Sequence, residues 1–337
     1  MSSNRLFNKN DNGAQELVKA LGMISDAVDF SKWEPVMPMA MRQFSGIVGS
    51  DVLYHLCRLY AQDSPTDGEQ LLVDYAQQAV AFFAWLRVIP TLDAQHGAAG
   101  RQKKLGENEK GMTALQEYKD ELNILNLAYE AVDCLVEQLE QQNTDFWLKS
   151  RARQLMGRLL IRNKPEMDEY YHIGSHRLFL VLAPIMREVQ RSEILPRIGK
   201  ERMKALQDYL KRQAQGHEGA AESVTAVTAP PLMADEDAEC LLELCRLPLA
   251  LLTMQKAVER LPVEVIPDGV VQVQQVGTVR EKVKAEQAAR RSVAESLARD
   301  GAHYLDDLQD YIAALDDTPD NDDYLTRPTL QSTGISF

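Results

Sequence analysis

The chain has 337 residues, of which 45% are hydrophobic and 26% charged, and its formal net charge is −13. This length allows a large buried core, and the hydrophobic content excludes a wholly disordered chain. Because nucleic-acid readers need clustered Lys and Arg, the acidic balance argues against a phosphate-binding surface. No long uncharged apolar stretch occurs, so we expect no membrane span.

The start of the chain, MSSNRLFNKNDNG, is polar and lacks the apolar core of an export signal. We therefore expect residues 1–15 to be a flexible arm and residues 16–315 to form a single helical body. Four cysteines, Cys57, Cys134, Cys240 and Cys245, lack the short paired spacing of a metal site. They are expected to be small buried side chains in a reducing cytoplasm.

A first helical unit is predicted over residues 69–142. Residues 71–89 form an apolar helix that Pro90 is expected to end, because proline lacks the amide proton that a helix needs. A turn at 95–97 follows, and residues 115–139 then show the spacing of a long amphipathic helix.

A middle helical segment is predicted over residues 144–213. His172 and His176 have the spacing of a zinc pair on a helix, and Asp168 and Glu169 lie near them in the sequence. Gly174 weakens that geometry, so we expect Ser175 to cap the helix that begins near residue 177. Residues 214–231 are small and polar and are expected to be a mobile loop.

A second unit of the same order is predicted over residues 238–315. An apolar helix is stopped by Pro262, the extended turn VEVIPDGVV follows, and a long helix continues with a possible break near Asp300 and Gly301. Placing Gly97 on Gly269 also places Leu125 on Leu297 and Val136 on Leu308. Two interpretations remain open: a duplicated unit, or two ordinary helical hairpins.

Residues 316–337 change from acidic to uncharged and contain scattered large apolar side chains. Either they are a frayed terminus, or they are an arm that becomes ordered on a partner. No nucleophile elbow, dinucleotide turn or supported Ser/His/Asp arrangement is found, so we expect no enzyme activity and no cofactor. The fold class is predicted to be mainly α, a helical bundle with two helix/extended-turn/long-helix repeats and short β elements.

Four strings of the sequence prompt a family resemblance: LLVDYAQQAVAFFAWLRVIP, HIGSHRLFLVLAPIMREVQ, EILPRIG and VEVIPDGVVQV. In their order they resemble an uncharacterised family of structural proteins of Bacteroidetes phages and prophages. They are more distantly similar to the helical head–tail connector (adaptor) proteins of tailed phages. The similarity covers most of residues 71–315.

The resemblance implies a virion structural protein of the phage neck that is assembled in the cytoplasm of the bacterial host. It implies a homo-oligomeric ring of about a dozen copies that contacts the portal and the tail or neck proteins, with DNA passing through an acidic lumen. The residues it assigns to partner contacts lie in the second extended turn and in the C-terminal arm. They are Val263, Val265, Ile266, Asp268, Val270, Tyr324, Leu325, Leu330, Ile335 and Phe337.

Three other functions fit the residues. One is a tail-completion or minor capsid protein, and another is a non-viral cytoplasmic helical scaffold that binds a protein partner. The third is a metal-dependent hydrolase that uses His172, His176 and the neighbouring carboxylates.

Overall fold

The computed structural model describes residues 5–22, 29–97, 100–103, 113–217, 233–261 and 279–316. This part of the chain is mainly helical. Its helices and strands, in order, are α1 (Gly13–Leu21), α2 (Met37–Val48), α3 (Ser50–Ala61), α4 (Asp67–Asp93), β1 (Ala94–Gly97), β2 (Gly100–Lys103), α5 (Ala114–Gln142), α6 (Asp145–Leu148), α7 (Arg151–Met156), α8 (Lys164–Asp168), α9 (His176–Val189), α10 (Leu195–His217), α11 (Asp235–Arg260) and α12 (Val279–Asp316).

Helices α4 and α5 pack against each other as a first helical hairpin. The expectation that Pro90 ends α4 is wrong, because the helix continues to Asp93. Proline removes one hydrogen bond, but α4 is buried on most sides, and that packing outweighs the loss. Strands β1 and β2 follow α4 and pair antiparallel. Helix α5 begins with a capping box, in which Thr113 and Gln116 bond to each other's backbone amides.

Helices α11 and α12 form a second hairpin with an equally extensive contact. No break occurs near Asp300, because α12 is one helix from Val279 to Asp316. Gly301 is instead buried where α12 meets α11, and a Cβ at this position would lie 2.7 Å from Leu252 Cδ2. Arg290 of α12 donates hydrogen bonds to the carbonyl oxygens of Val258 and Leu261, and these bonds cap the last turn of α11.

The middle segment joins the two hairpins. Helix α9 contacts both α5 and α11. It continues through one π-helical turn, Gln190–Ile194, directly into α10. The buried amide of Gln190 accepts from the Leu160 N–H (2.9 Å) and donates to the Arg158 carbonyl (3.2 Å). The Gln190 side chain thus provides hydrogen-bond partners for one backbone N–H and one backbone carbonyl of the turn at residues 158–160.

Helix α10 is kinked at Gly199, where φ is 79° and ψ is 169°. Only glycine adopts this conformation without strain, so we expect Gly199→Ala to lower the free energy of unfolding by about 1–2 kcal/mol. Gly157→Ala is the matched control, since Gly157 has a helical φ of −62° and is exposed. Urea denaturation of both variants tests this. An equal effect of the two substitutions would show that the kink is not the cause.

Residues 5–15 are packed against the helical body, which corrects the expected arm for that part of residues 1–15, whereas residues 1–4 lie outside the described residues. Leu6 and Phe7 are buried in the common core. Gln77 of α4 donates to the Leu6 carbonyl (2.6 Å), and Tyr60 of α3 donates to Glu16 (2.7 Å). Apolar burial and hydrogen bonds therefore hold this segment on α3 and α4.

The first four residues of the expected mobile loop over residues 214–231 belong instead to α10, which extends to His217. The remainder of that loop lies outside the described residues. So do the second extended turn and residues 317–337.

The buried positions of the two hairpins correspond in sequence order. Those of α4 match those of α11 at Leu72 and Leu241, Val73 and Leu242, Ala76 and Cys245, Val80 and Leu249, Ala84 and Thr253, and Val88 and Ala257. Those of α5 match those of α12 at Ile124 and Leu297, Ala128 and Gly301, Val132 and Leu305, Leu135 and Leu308, and Leu139 and Ile312. In this comparison Ile124, and not Leu125, corresponds to Leu297.

Candidate interaction surfaces

All ten predicted partner-contact residues lie outside the described part of the chain. They are Val263, Val265, Ile266, Asp268, Val270, Tyr324, Leu325, Leu330, Ile335 and Phe337. Their role therefore stays a prediction, and the search for a site turns to the residues that the structure places.

The histidine pair does not form a joint site. His172 lies in the turn before α9, and its Nδ1 is 3.5 Å from Asp168 Oδ1. His176 is the first residue of α9, and its pKa is lowered chiefly by burial, which disfavours the charged imidazole. Within the described ranges, no group of three or more His, Cys, Asp or Glu side chains could hold a metal ion.

Ser175 caps α9, as predicted. Its hydroxyl accepts from the Leu178 N–H (3.1 Å) and donates to Asp133 of α5 (3.0 Å). Asp133 also accepts from the Arg177 N–H (2.5 Å). Two side chains thus satisfy the free amides at the start of α9 and attach it to α5.

A largely buried ion pair joins the end of α5 to α6 and α7. Arg153 Nε lies 3.2 Å from Glu140 Oε1, although its N–H is not aimed well enough for a hydrogen bond. Trp147 is fully buried and donates its indole N–H to the same oxygen (3.0 Å). Burial raises the pKa of Glu140, and Arg153 and Trp147 act in the opposite direction.

A second buried group links the middle segment to α11. Arg162 and Arg246 both contact Glu166, at 2.9 Å and 3.1 Å. Arg162 also donates to the Leu210 carbonyl, and Arg246 donates to the Leu160 carbonyl. These donors are thus used to hold backbone segments together rather than to present a reactive group.

On the surface, Glu188 of α9 is bonded to both Arg260 (2.6 Å) and Lys256 (3.0 Å) of α11. These bonds, that to Arg260 first, lower the pKa of Glu188 to about 2. A carboxyl with a depressed pKa stabilises the fold above its unfolded pKa, near 4.5, and loses that contribution as the pH falls toward 2.

We therefore expect Glu188→Gln to lower the urea midpoint at pH 7 and to have a shrinking effect between pH 5 and pH 2. The measurement is the difference in midpoint between variant and wild type across that range. A difference that does not change with pH would mean that the ion pairs contribute nothing.

Among the described residues, the largest row of exposed apolar side chains lies at the start of α5. Leu115, Tyr118 and Leu122 have exposed fractions of 63%, 61% and 43%, and none of residues 115–123 is buried. The three positions are spaced by three and four residues, so they share one face of the helix. We call this face the α5 ridge. A contiguous exposed apolar row of this kind is typical of a protein contact surface.

A separate apolar groove, of about 540 Å³, lies where α2 meets α3 and where both face α7 and α9. We call it the central groove. Its apolar lining comes from Ile47, Leu155, Met156, Leu180 and Ala183, and Gly46 leaves open space where a Cβ would stand. Asp51 lies at its edge and accepts the Arg151 N–H (3.0 Å), which caps α7.

Comparison with protein families gives one result that spans both hairpins. A family model matches residues 45–149 and residues 203–327, which together exceed half of the chain. The protein belongs to this family. The family is DUF6712, a family of unknown function. No curated protein and no solved structure matches the chain.

Each of the two stretches matched by the DUF6712 model contains one complete helical hairpin, α4–α5 or α11–α12. The α5 ridge lies in the first stretch, and the central groove draws Ile47 and the α2–α3 junction from it. Among the described residues of this family member, no helix is long and apolar enough to cross a membrane.

Sequence reasoning missed both surfaces. It recognised α5 as a long amphipathic helix, but it did not separate the buried apolar positions from Leu115, Tyr118 and Leu122. The available signal was the acidic and polar composition of residues 116–123, which leaves these three as isolated apolar positions at helical spacing.

Proposed function

We propose that this protein is a structural component of a tailed-phage virion, a head–tail connector (adaptor) that forms a ring in the neck between portal and tail. The α5 ridge is the observation that carries this proposal. A helical body with buried polar groups in structural contacts, and with a row of exposed apolar residues at the start of one helix, is suited to assembly through its surface.

The proposal includes an internal duplication. It is supported by the matching order of buried positions in α4–α5 and α11–α12, and by the family model, whose two matched stretches each contain one hairpin. In a duplicated unit, the first helix of each hairpin packs against the second, and the segment that contains α9 joins the two hairpins.

The contacts proposed for the ring include the second extended turn, from Val263 to Val273, and the arm after Asp316. Both would clasp neighbouring copies, the portal or the tail proteins. The exposed carboxylates on α12, such as Asp300, Asp307 and Asp310, add to an acidic balance that would repel DNA phosphates in a lumen and let the duplex slide.

We propose no reaction for this protein. The largely buried charged side chains Glu166, Arg162 and Arg246 contact one another or backbone carbonyls, and Glu140 contacts Arg153 and Trp147, as structural groups do. A tail-completion or minor capsid protein would use the same kind of surface, as would a cytoplasmic scaffold.

The decisive experiment measures the mass of the purified protein by light scattering over a range of concentrations, with and without the residues after Asp316. We expect a high-mass closed assembly that weakens when the arm is removed.

Mass spectrometry of purified particles from a phage that encodes the protein should find it in the virion. A monomer that is indifferent to the arm, and that is absent from particles, would favour the cytoplasmic scaffold.

A further inference from the structure

A recess of about 450 Å³ lies where the end of α5 meets α7, α8 and the end of α10. We call it the polar recess. Its volume is in the range of small-molecule sites, which extends from about 300 to about 1,000 Å³. Segments that are far apart in the sequence line it, so only the folded chain assembles it. The lining includes the polar side chains of Glu140, Asn143, Arg153, Arg162, His176 and Gln213.

Asn143 and His176 contribute polar groups that the fold does not use. Asn143 ends α5 in the left-handed conformation, with a φ of 47°, where glycine is the usual residue. Its side-chain amide forms no hydrogen bond within the described ranges. The imidazole of half-buried His176 also has no hydrogen-bond partner there. Burial lowers the pKa of His176, so at pH 7 the ring is neutral and has one donor and one acceptor.

Three further side chains of the lining keep unused donors or acceptors. Arg153 forms an ion pair with Glu140 through Nε, and its two terminal nitrogens form no hydrogen bond to the described residues. Glu140 accepts a hydrogen bond at Oε1 but none at Oε2. Gln213 donates from Nε2, and its Oε1 accepts nothing. The polar recess therefore has unused donors and unused acceptors together.

The charged side chains of the lining balance one another. They are two carboxylates, Glu137 and Glu140, and two guanidinium groups, Arg153 and Arg162. An ion of either sign would be attracted by one pair and repelled by the other. A hydroxyl group both donates and accepts, so a neutral molecule with several hydroxyl groups can use both kinds of group without this repulsion.

We propose that the polar recess binds a small neutral polyhydroxyl ligand, a mono- or disaccharide. Leu148 and Pro165 supply apolar surface in the same lining, against which the C–H groups of a sugar ring can pack. The inference goes beyond the proposed function and does not depend on it, because all residues of the lining belong to one chain.

Saturation-transfer NMR on the full-length protein tests the class of ligand. The neutral probes are D-glucose, D-galactose, N-acetyl-D-glucosamine and maltose, and the charged probes are the cation D-glucosamine and the anion D-glucuronate. We expect at least one neutral sugar to bind with a Kd on the order of 1 mM, as is usual for a molecule of this size. Both charged probes should bind more weakly, because each meets a side chain of its own sign.

Asn143→Gly tests the location. Glycine adopts the left-handed conformation readily, so the urea midpoint should not fall. The variant lacks the free amide, and the Kd of the sugar should rise about threefold to tenfold, as for one lost hydrogen bond. Gln213→Ala, at an exposed position of α10, should have a similar effect. Gln309→Ala removes an exposed glutamine of α12 outside the recess and is the matched control, with an unchanged Kd.

Three results would overturn the inference. One is that no neutral sugar binds at concentrations up to roughly 50 mM, well above the expected Kd. Another is that a charged probe binds more tightly than every neutral sugar. The third is sugar binding that neither Asn143→Gly nor Gln213→Ala weakens, because the ligand would then lie elsewhere. Each of them leaves the connector proposal intact, since the mass of the assembly tests that proposal separately.

Discussion

Trp147→Ala is expected to lower the free energy of unfolding by about 3–5 kcal/mol, the largest loss among the variants considered. Trp147 is fully buried, and its indole N–H donates to Glu140 Oε1 at 3.0 Å. The substitution leaves a cavity and removes a donor from a desolvated carboxylate. Urea denaturation followed by circular dichroism measures the loss.

Trp147→Phe separates the two causes, because it keeps most of the aromatic volume and removes the donor. We expect a loss of about 1–3 kcal/mol at pH 7. The pKa of Glu140, already raised by burial, should rise further, since the indole favours the ionised form. The loss should therefore shrink as the pH falls and the carboxyl becomes protonated.

Tyr54→Ala is the control for these variants. Tyr54 is about half exposed on α3, so its removal should change stability by no more than about 0.5 kcal/mol. If Trp147→Ala were as mild as Tyr54→Ala, the packing of α6 against the end of α5 would not contribute to the core.

Gly301→Val is expected to lower the free energy of unfolding by about 3 kcal/mol. Glycine normally weakens a helix, so replacing it on an exposed face would be neutral or stabilising. Here the added carbon would lie 2.7 Å from Leu252 Cδ2 and 2.8 Å from Leu252 Cγ, so either Leu252 must leave its present rotamer or α11 and α12 must move apart. Thermal and urea denaturation measure the effect.

Ala302→Val is the matched control on the neighbouring exposed position, and it should cost less than about 1 kcal/mol. Leu252→Ala in combination with Gly301→Val should recover part of the loss, because it removes the atoms that the valine meets. Without such recovery, the effect of Gly301→Val would have to come from the backbone rather than from the contact with Leu252.

Local patterns in the sequence predicted the parts of the fold that depend on neighbouring residues. The mainly α fold class is confirmed, and Ser175 caps α9 because a serine can bond to the amide three residues later wherever a helix begins. The long helices at the ends of both units were predicted because their apolar residues repeat at helical spacing. That spacing follows from backbone geometry and requires no knowledge of the partner helix.

Tertiary packing decided whether the helix continues at Pro90 and at Gly301, two residues that often end or break a helix. Pro90, which was expected to end a helix, lies within α4, because burial of the surrounding apolar residues exceeds the cost of one lost hydrogen bond. Gly301 could mark a break or a close contact, and only the approach of Leu252 selects the second. A single sequence contains no information about that distance.

The α5 ridge likewise depends partly on the sequence alone and partly on the tertiary structure. Helical spacing places Leu115, Tyr118 and Leu122 on one face of α5. It places Ile124 and Ala128 on another face. The sequence by itself therefore determines which of these residues share a face. Which set is covered depends on where the other helices lie, and they leave residues 115–123 uncovered. Hydrophobic burial is a property of the assembled core rather than of the residue, so only the tertiary structure could distinguish the ridge from the core.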